Sequence, residues 1–172
     1  MYGPCNFSND FWTSGLPDVL KLLPSGLSED FMNQVYLESQ VPIRGGVSLE
    51  GQAPGRPDFS DYRQAFAFSR IGRGRVLETV YPSEDWDKVD PLRNIGPAFP
   101  PTFIVHGTQD KMVPLILSRN LYAVLCEQGV KCGMVEVPGE GHTFAARMQV
   151  GSQTWTLQRK GFGFLEDLLR RD

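Results

Sequence analysis

The stretch from Pro101 to Pro114, "PTFIVHGTQDKMVP", decides how this chain is read. Thr102 to Val105 are β-branched or aromatic, the run is short, and Gly107 ends it, which is the pattern of a strand buried on both faces. Pro114 suits the first turn of a helix. The segment that follows, "LILSRNLYAVLCEQG", carries Leu117, Leu121, Val124 and Leu125 at helical spacing and has Gly129 as its stop. "CGMVEVPG", Cys132 to Gly139, reads as a second strand broken by Pro138 and Gly139. From Gln153 to Leu169 the spacing places Trp155, Phe162, Leu165 and Leu169 on one face of a terminal amphipathic helix. The order β-α-β-α predicts parallel strands joined by a crossover helix.

Two residues fall just past the ends of these strands. Asp110 follows the first, and His142 follows the second within "PGEGHTF", Pro138 to Phe144. In open α/β sheets, functional side chains gather at the carboxyl ends of the strands, where loops aim them at a shared crevice. A carboxylate that accepts from one imidazole nitrogen fixes the tautomer and stabilises the imidazolium formed when the other nitrogen takes a proton. Asp110 and His142 are therefore the candidate acid and base of a catalytic site. The bland alternatives are that Asp110 caps the helix starting near Pro114 and that His142 is an ordinary loop histidine. His106, at the end of the strand before a turn glycine, reads as structural.

Upstream, from about Asn6 to Pro100, the helical segments are short and most of the prolines and glycines lie here. "LSEDFMNQVYLES" begins with Ser28 as an N-cap and has Glu29 and Asp30 in its first turn; "DFSDYRQAFAFSRIG" gives a second, aromatic-rich helix. The long connection between them suits a lid or binding loop, so a cap over a site is expected. Of the aromatics in this region (Phe7, Phe11, Trp12, Phe66, Phe68 and Trp86), Trp12, Phe66 and Trp86 are the candidate substrate-contacting side chains. Aromatics at such positions also serve as ordinary core.

Composition sets the outer limits. The 172 residues are 41% hydrophobic with a formal charge of −3, as expected of a globular chain with a real core. Lys and Arg are scattered, which argues against a nucleic-acid partner; the short cluster "RIGRGR", Arg70 to Arg75, reads as a solvated helix end and lacks the features of a P-loop. Cys5, Cys126 and Cys132 are an odd number without zinc-like spacing, which fits a reduced compartment better than a disulfide framework. No segment reads as a secretory leader or a membrane span. The expectation is a cytoplasmic protein with no metal, no cofactor and a small-molecule substrate.

The chain resembles, along essentially its whole length, the α/β hydrolases, and in particular fungal carboxylesterase-like members of the type 3 kind. The residues that carry the resemblance are "MYGP" at the start, "DPLRNIGPAFPPTFIVHGTQDKMVP" (Asp90 to Pro114) and "VPGEGHTF" (Val137 to Phe144). It implies an α/β fold in which residues 1–5 are the remnant of the sixth strand and 6–100 a mainly helical cap. Residues 101–172 would then be the C-terminal β-α-β-α part of the core, carrying strands seven and eight. It also implies that Asp110 is the triad acid and His142 the base.

The departure from that family is equally informative. Its nucleophile sits in a "GxSxG" elbow and its oxyanion hole in an upstream "HGGG"-like loop, and neither motif occurs in this sequence. Ser48, in "GGVSLEG", has Gly46 before it but Glu50 where the second glycine belongs. The chain thus reads as the C-terminal half of a hydrolase, with the nucleophile expected elsewhere. Three functions follow. One is ester or acyl hydrolysis completed by a partner that supplies the serine and oxyanion donors. Another is a His–Asp dyad enzyme of fungal secondary metabolism that transfers protons in isomerisation or cyclisation. The third is a non-catalytic binding module. Loss of a sixth-strand neighbour would leave the edge of strand seven open, so a homo-oligomer or a partner chain pairing there is expected.

Overall fold

The computed structural model describes residues 5–38, 57–81, 85–142 and 144–170. They fall into two compact units: one of residues 7–38, 57–81 and 85–86, the other of Cys5, Asn6 and the described residues from Asp87 onward. Met1 to Pro4, most of the expected strand-six remnant, and the loop holding Ser48 lie outside the described residues.

The first unit is built from short helices: α1 (Phe11–Ser14), α2 (Pro17–Leu20), α3 (Glu29–Met32), α4 (Tyr62–Gly72) and α5 (Val76–Val80). Ser28 caps α3 as its position predicts, its Oγ accepting from the Phe31 backbone N–H at 3.1 Å. The helix expected over Leu27 to Ser39 is, however, a single α-turn that tightens into a 3-10 segment over Asn33–Leu37. Asn33, Val35 and Tyr36 are weak helix formers, and so short a helix has no cooperative length to draw on. Asp61 caps α4 by accepting from the Arg63 N–H at 2.9 Å, and Ala65, Ser69 and Gly72 form the buried face of α4. A Cβ on Gly72 would lie 2.7 Å from Leu20 Cδ2, so glycine sets the close approach of α2 to α4. Glu29 bridges to Arg73 at 2.6 Å and Arg70 at 3.2 Å, and the Arg73 hydrogen bond holds its carboxyl below the usual range.

In the second unit, β1 (Thr102–Gly107) and β2 (Cys132–Val137) run parallel, in register from Thr102 opposite Cys132 to Gly107 opposite Val137. The crossover helix α6 (Leu115–Glu127) ends where Gly129, at φ 70°, turns the chain: the Gly129 N–H bonds Cys126 O and the Val130 N–H bonds Leu125 O, both at 3.0 Å. Alternate side chains of β1 point to opposite faces. Ile104 packs with Ile95, Leu125 and Val130 beneath α6, whereas the Phe103 ring lies 5.3 Å from Phe164 of α7 (Gln153–Leu169).

The bounds of α7 match the sequence reading, but its inner stripe does not follow the residues chosen for it. Phe162, Leu165 and Leu169 are exposed. The side turned to β1 carries Gly161 and Phe164, which touch Phe103, with Leu157 and Leu168 half-buried at the same helical spacing. Two apolar stripes coexist on this helix, and packing against Phe103 selects the one with glycine at its centre.

Asp90, first residue of the "DPLRNI" segment, is buried, and its Oδ1 accepts from the Asn6 N–H at 2.8 Å and the Leu92 N–H at 2.9 Å. Asn6 takes a positive φ of 56°, which asparagine tolerates better than most residues. Cys5 donates to Leu117 O at 3.6 Å, and burial, followed by the charge of Asp90, pushes its thiol up to about 11.

Candidate active site

The ends of β1 and β2 lie side by side in the parallel register, and the loops that leave them are joined by two backbone hydrogen bonds and one to a side chain. The Thr108 N–H donates to Val137 O at 3.0 Å, the Gln109 N–H to Glu140 O at 2.8 Å and the Gly139 N–H to Thr108 Oγ1 at 3.0 Å. Gly107 permits this closeness. A Cβ there would meet Glu140 O at 2.3 Å and Gly141 O at 2.9 Å, inside any real contact distance. Thr154, in the first turn of α7, adds a hydrogen bond from Oγ1 to Glu140 Oε1 at 2.7 Å, holding the second loop from the other side.

These loops bring together the two residues singled out from the sequence. His142 Nδ1 lies 2.8 Å from Asp110 Oδ2. The Asp110 side chain is fully buried, whereas that of His142 retains 22% exposure. A carboxylate taken out of water is costly unless its lone pairs are used, and here both oxygens are engaged. Oδ1 accepts from the Met112 and Val113 N–H groups, each at 2.9 Å, and Oδ2 faces both His142 and, at 3.2 Å, His106 Nε2. The two backbone bonds make a turn over residues 110–113. They do not cap α6, whose N-cap is Pro114 with no side-chain cap bond.

The acceptors fix the tautomers. A carboxylate only accepts, so His142 carries its proton on Nδ1 and presents Nε2 as the basic nitrogen. His106 Nε2 faces both Asp110 Oδ2 and, at 3.0 Å, the Val113 carbonyl, two acceptors, so Nε2 bears a proton there. Its Nδ1 then accepts a hydrogen bond from the Ser118 hydroxyl, 2.6 Å away on α6. His106 is fully buried and Ser118 nearly so. Sequence reasoning placed His106 in a structural role and did not pick out Ser118. The available signal was a serine beside Leu117, on the otherwise apolar inward face of the helix, where a buried hydroxyl needs a partner.

The remaining candidates, Trp12, Phe66 and Trp86, belong to the other unit, and each has ring or hydrogen-bond partners inside it. Trp12 stacks edge-on with Phe7 at 5.6 Å and Phe11 at 5.1 Å. Phe66 packs edge-on with Tyr36 at 5.5 Å, with the Arg70 guanidinium 4.7 Å from its ring centroid. Trp86 Nε1 donates to Tyr81 O at 3.3 Å. Among the described residues, no group of three or more His, Cys, Asp or Glu side chains is arranged to hold a metal ion, and no helix is long and apolar enough to cross a membrane.

Parallel strands joined by a crossover helix, with helices on both faces and an Asp–His pair in the loops at their carboxyl ends, define an α/β fold of the α/β-hydrolase type. The profile of the prolyl oligopeptidase family matches residues 63–171, and the chain belongs to that family. It is similar to the non-reducing polyketide synthase Preu6 of Preussia isomera, with 39% identity over 75 residues, covering 43% of this chain and 3% of that protein. It is also similar to 5-methylorsellinic acid synthase of Aspergillus terreus, with 24% identity over 197 residues, covering 95% of this chain and 7% of that protein. A third similarity is to the non-reducing polyketide synthase pkbA of Emericella nidulans, at 28% identity over 86 residues, 49% of this chain and 3% of that one. The chain thus spans from 3% to 7% of the length of these curated relatives. Among solved structures, a truncated form of a carbohydrate esterase from gut microbiota aligns with 28% identity and a TM-score of 0.40, covering 49% of this chain and 28% of that one.

Proposed function

We propose that this chain supplies the acid–base half of an α/β-hydrolase site, with His142 as the proton-transferring base and Asp110 as its orienting acid. The observation that supports this most directly is the 2.8 Å contact between His142 Nδ1 and the buried Asp110 carboxylate, which leaves Nε2 as the basic nitrogen. In the reading favoured here, the reaction is ester or acyl hydrolysis of the carboxylesterase kind, with a serine and oxyanion donors contributed from outside this sequence. The serine attacks the acyl carbon while His142 Nε2 takes the hydroxyl proton. The resulting imidazolium is stabilised by Asp110 and returns the proton to the leaving group.

The similarity to proteins named polyketide synthases supports a second reading in fungal secondary metabolism. A polyketide chain carries C–H groups between two carbonyls, and these are acidic enough for an imidazole to abstract. A dyad without any serine would then promote cyclisation or isomerisation through an enolate.

One experiment separates the readings. The chain is incubated with an activated ester, with a poly-β-keto acyl thioester and with a serine-directed phosphonate, alongside a His142→Ala variant. Hydrolysis that appears only when a serine-bearing partner is added, and that vanishes with His142→Ala, supports the first reading. Cyclised product from the chain alone, lost in His142→Ala and without phosphonate labelling, supports the second. If His142→Ala equals the parent under every condition, both fail and the non-catalytic binding module takes their place.

A further inference from the structure

Cys126 and Cys132 have no part in the acid–base site. Cys126 lies in the last turn of α6 and is exposed, Cys132 opens β2 and is half-buried, and their Sγ atoms are 3.4 Å apart, a thiol hydrogen bond and not a disulfide. A disulfide needs about 2.05 Å between sulfurs, so closure asks for a movement of roughly 1.4 Å, within the reach of side-chain rotation. The backbone on either side is already fixed for it. The N–H groups of Gln128, Gly129 and Val130 bond to Val124 O, Cys126 O and Leu125 O, all at 3.0 Å, and Lys131 O accepts from the Thr102 N–H at 3.0 Å. The four residues from Gln128 to Lys131 therefore connect the two cysteine-bearing elements through fixed backbone and hold the thiols 3.4 Å apart. Cys5, the third cysteine, is buried and bonded to Leu117 O.

We propose that Cys126 and Cys132 form a reversible dithiol modification site that takes a small-molecule disulfide of the glutathione type. The Cys126 thiolate attacks one sulfur of the reagent, expelling a thiolate and leaving a mixed disulfide on Cys126. Cys132 then gives up its proton to solvent, and its sulfur attacks Cys126 Sγ. The intrachain bond forms as the second small thiol departs. Two protein thiols are oxidised, one reagent disulfide is reduced to two thiols, and no further oxidant is needed. Burial pushes the Cys132 thiol up to about 11, so it stays protonated at neutral pH and the exposed Cys126 meets the reagent first. The second step is intramolecular between sulfurs already in contact, and this proximity offsets the small thiolate fraction of Cys132. The product staples the end of α6 to the start of β2. Such a bond suits a protein from a reducing compartment, where intrachain disulfides are transient responses to the thiol poise.

The test is incubation of the full chain in glutathione buffers of rising oxidised-to-reduced ratio, read by intact mass and peptide mapping. The expected product is a monomer lighter by two hydrogens, cross-linked between Cys126 and Cys132, with Cys5 unmodified. Cys132→Ser, confirmed folded by its circular dichroism, should stop at one glutathione on Cys126. A wild-type chain that also stops at the mixed disulfide, a cross-link between chains, or a Cys126 that stays free in buffer that fully oxidises a reference dithiol peptide would each overturn the proposal. The His142→Ala variant should close the bond like the parent, so the outcome is separable from the acid–base reading.

Discussion

Replacing Asp110 by Asn keeps the shape of the side chain and reverses the polarity of one of its two ends. The amide oxygen can still accept from the Met112 and Val113 N–H groups, but the NH2 then faces His142 Nδ1 and His106 Nε2, where the carboxylate offered an acceptor. His142 can answer by moving its proton to Nε2. His106 cannot do so without loss, because the Val113 carbonyl also requires a proton on its Nε2. A hydrogen bond to a charged acceptor contributes about 1.5–3 kcal/mol against about 0.5–1.5 for a neutral one, so two weakened imidazole bonds cost about 1 kcal/mol each. An opposed donor pair at His106 adds at least about 1 more. The expected destabilisation is about 3 kcal/mol, and for a chain of this length the melting temperature should fall by roughly 6–12 °C. The assay is long-range 15N NMR of the imidazoles alongside thermal unfolding: the parent should show His142 protonated on Nδ1 and the variant on Nε2. Any His142-dependent activity should drop on the order of 10⁴-fold, the size expected when a base is held in the wrong tautomer. An unchanged His142 tautomer with an unchanged melting temperature would refute the reasoning.

Gly107→Ala should cost about 2–3 kcal/mol, since its Cβ would press on the Glu140 and Gly141 carbonyls; the same NMR should then show the His142–Asp110 bond weakened, and a neutral result would mean the two loops are not held as described. Cys5 should make folding sensitive to alkali. Its folded pKa of about 11 lies above the ordinary 9.0, so the folded state keeps a proton that the unfolded chain loses, and stability falls as pH rises through that window, by about 2–3 kcal/mol in all. Cys5→Ala should flatten the decline seen in melting temperature between those pH values, with Cys132 contributing a remainder of the same sign. Among the described residues β1 pairs only with β2, and a second chain pairing along the other edge of β1 is expected to make the protein associate. Light scattering over a dilution series should show association, and a strictly monomeric sample at every concentration would count against pairing there.

Much of the second unit was legible in the sequence because its signals are local. The apolar run ended by Gly107, the 3.6-residue spacing of Leu117, Leu121 and Leu125, the stop at Gly129 and the bounds of α7 all depend on neighbours a few residues away. Ser28 was readable for the same reason, since its hydroxyl serves a backbone N–H three residues on. The proximity of Asp110 and His142 was legible one step further out: parallel strands in register bring their following loops together whatever the side chains between them.

What the sequence by itself determined was therefore the order and bounds of the β-α-β-α elements and which two residues, Asp110 and His142, the loops after the strands bring together. Only the tertiary structure decided which of two apolar stripes of α7 meets the sheet, because that choice depends on Phe103, more than fifty residues away and indistinguishable in sequence from any other strand aromatic. It likewise decided that His106, between Ser118, the Val113 carbonyl and Asp110, completes the shell of the buried carboxylate, and that Cys126 and Cys132 meet across a turn. Elements form from periodicity along the chain, which a sequence displays. Partners are chosen by packing and by the demand that buried polar groups be satisfied, and that demand acts between residues the sequence keeps apart.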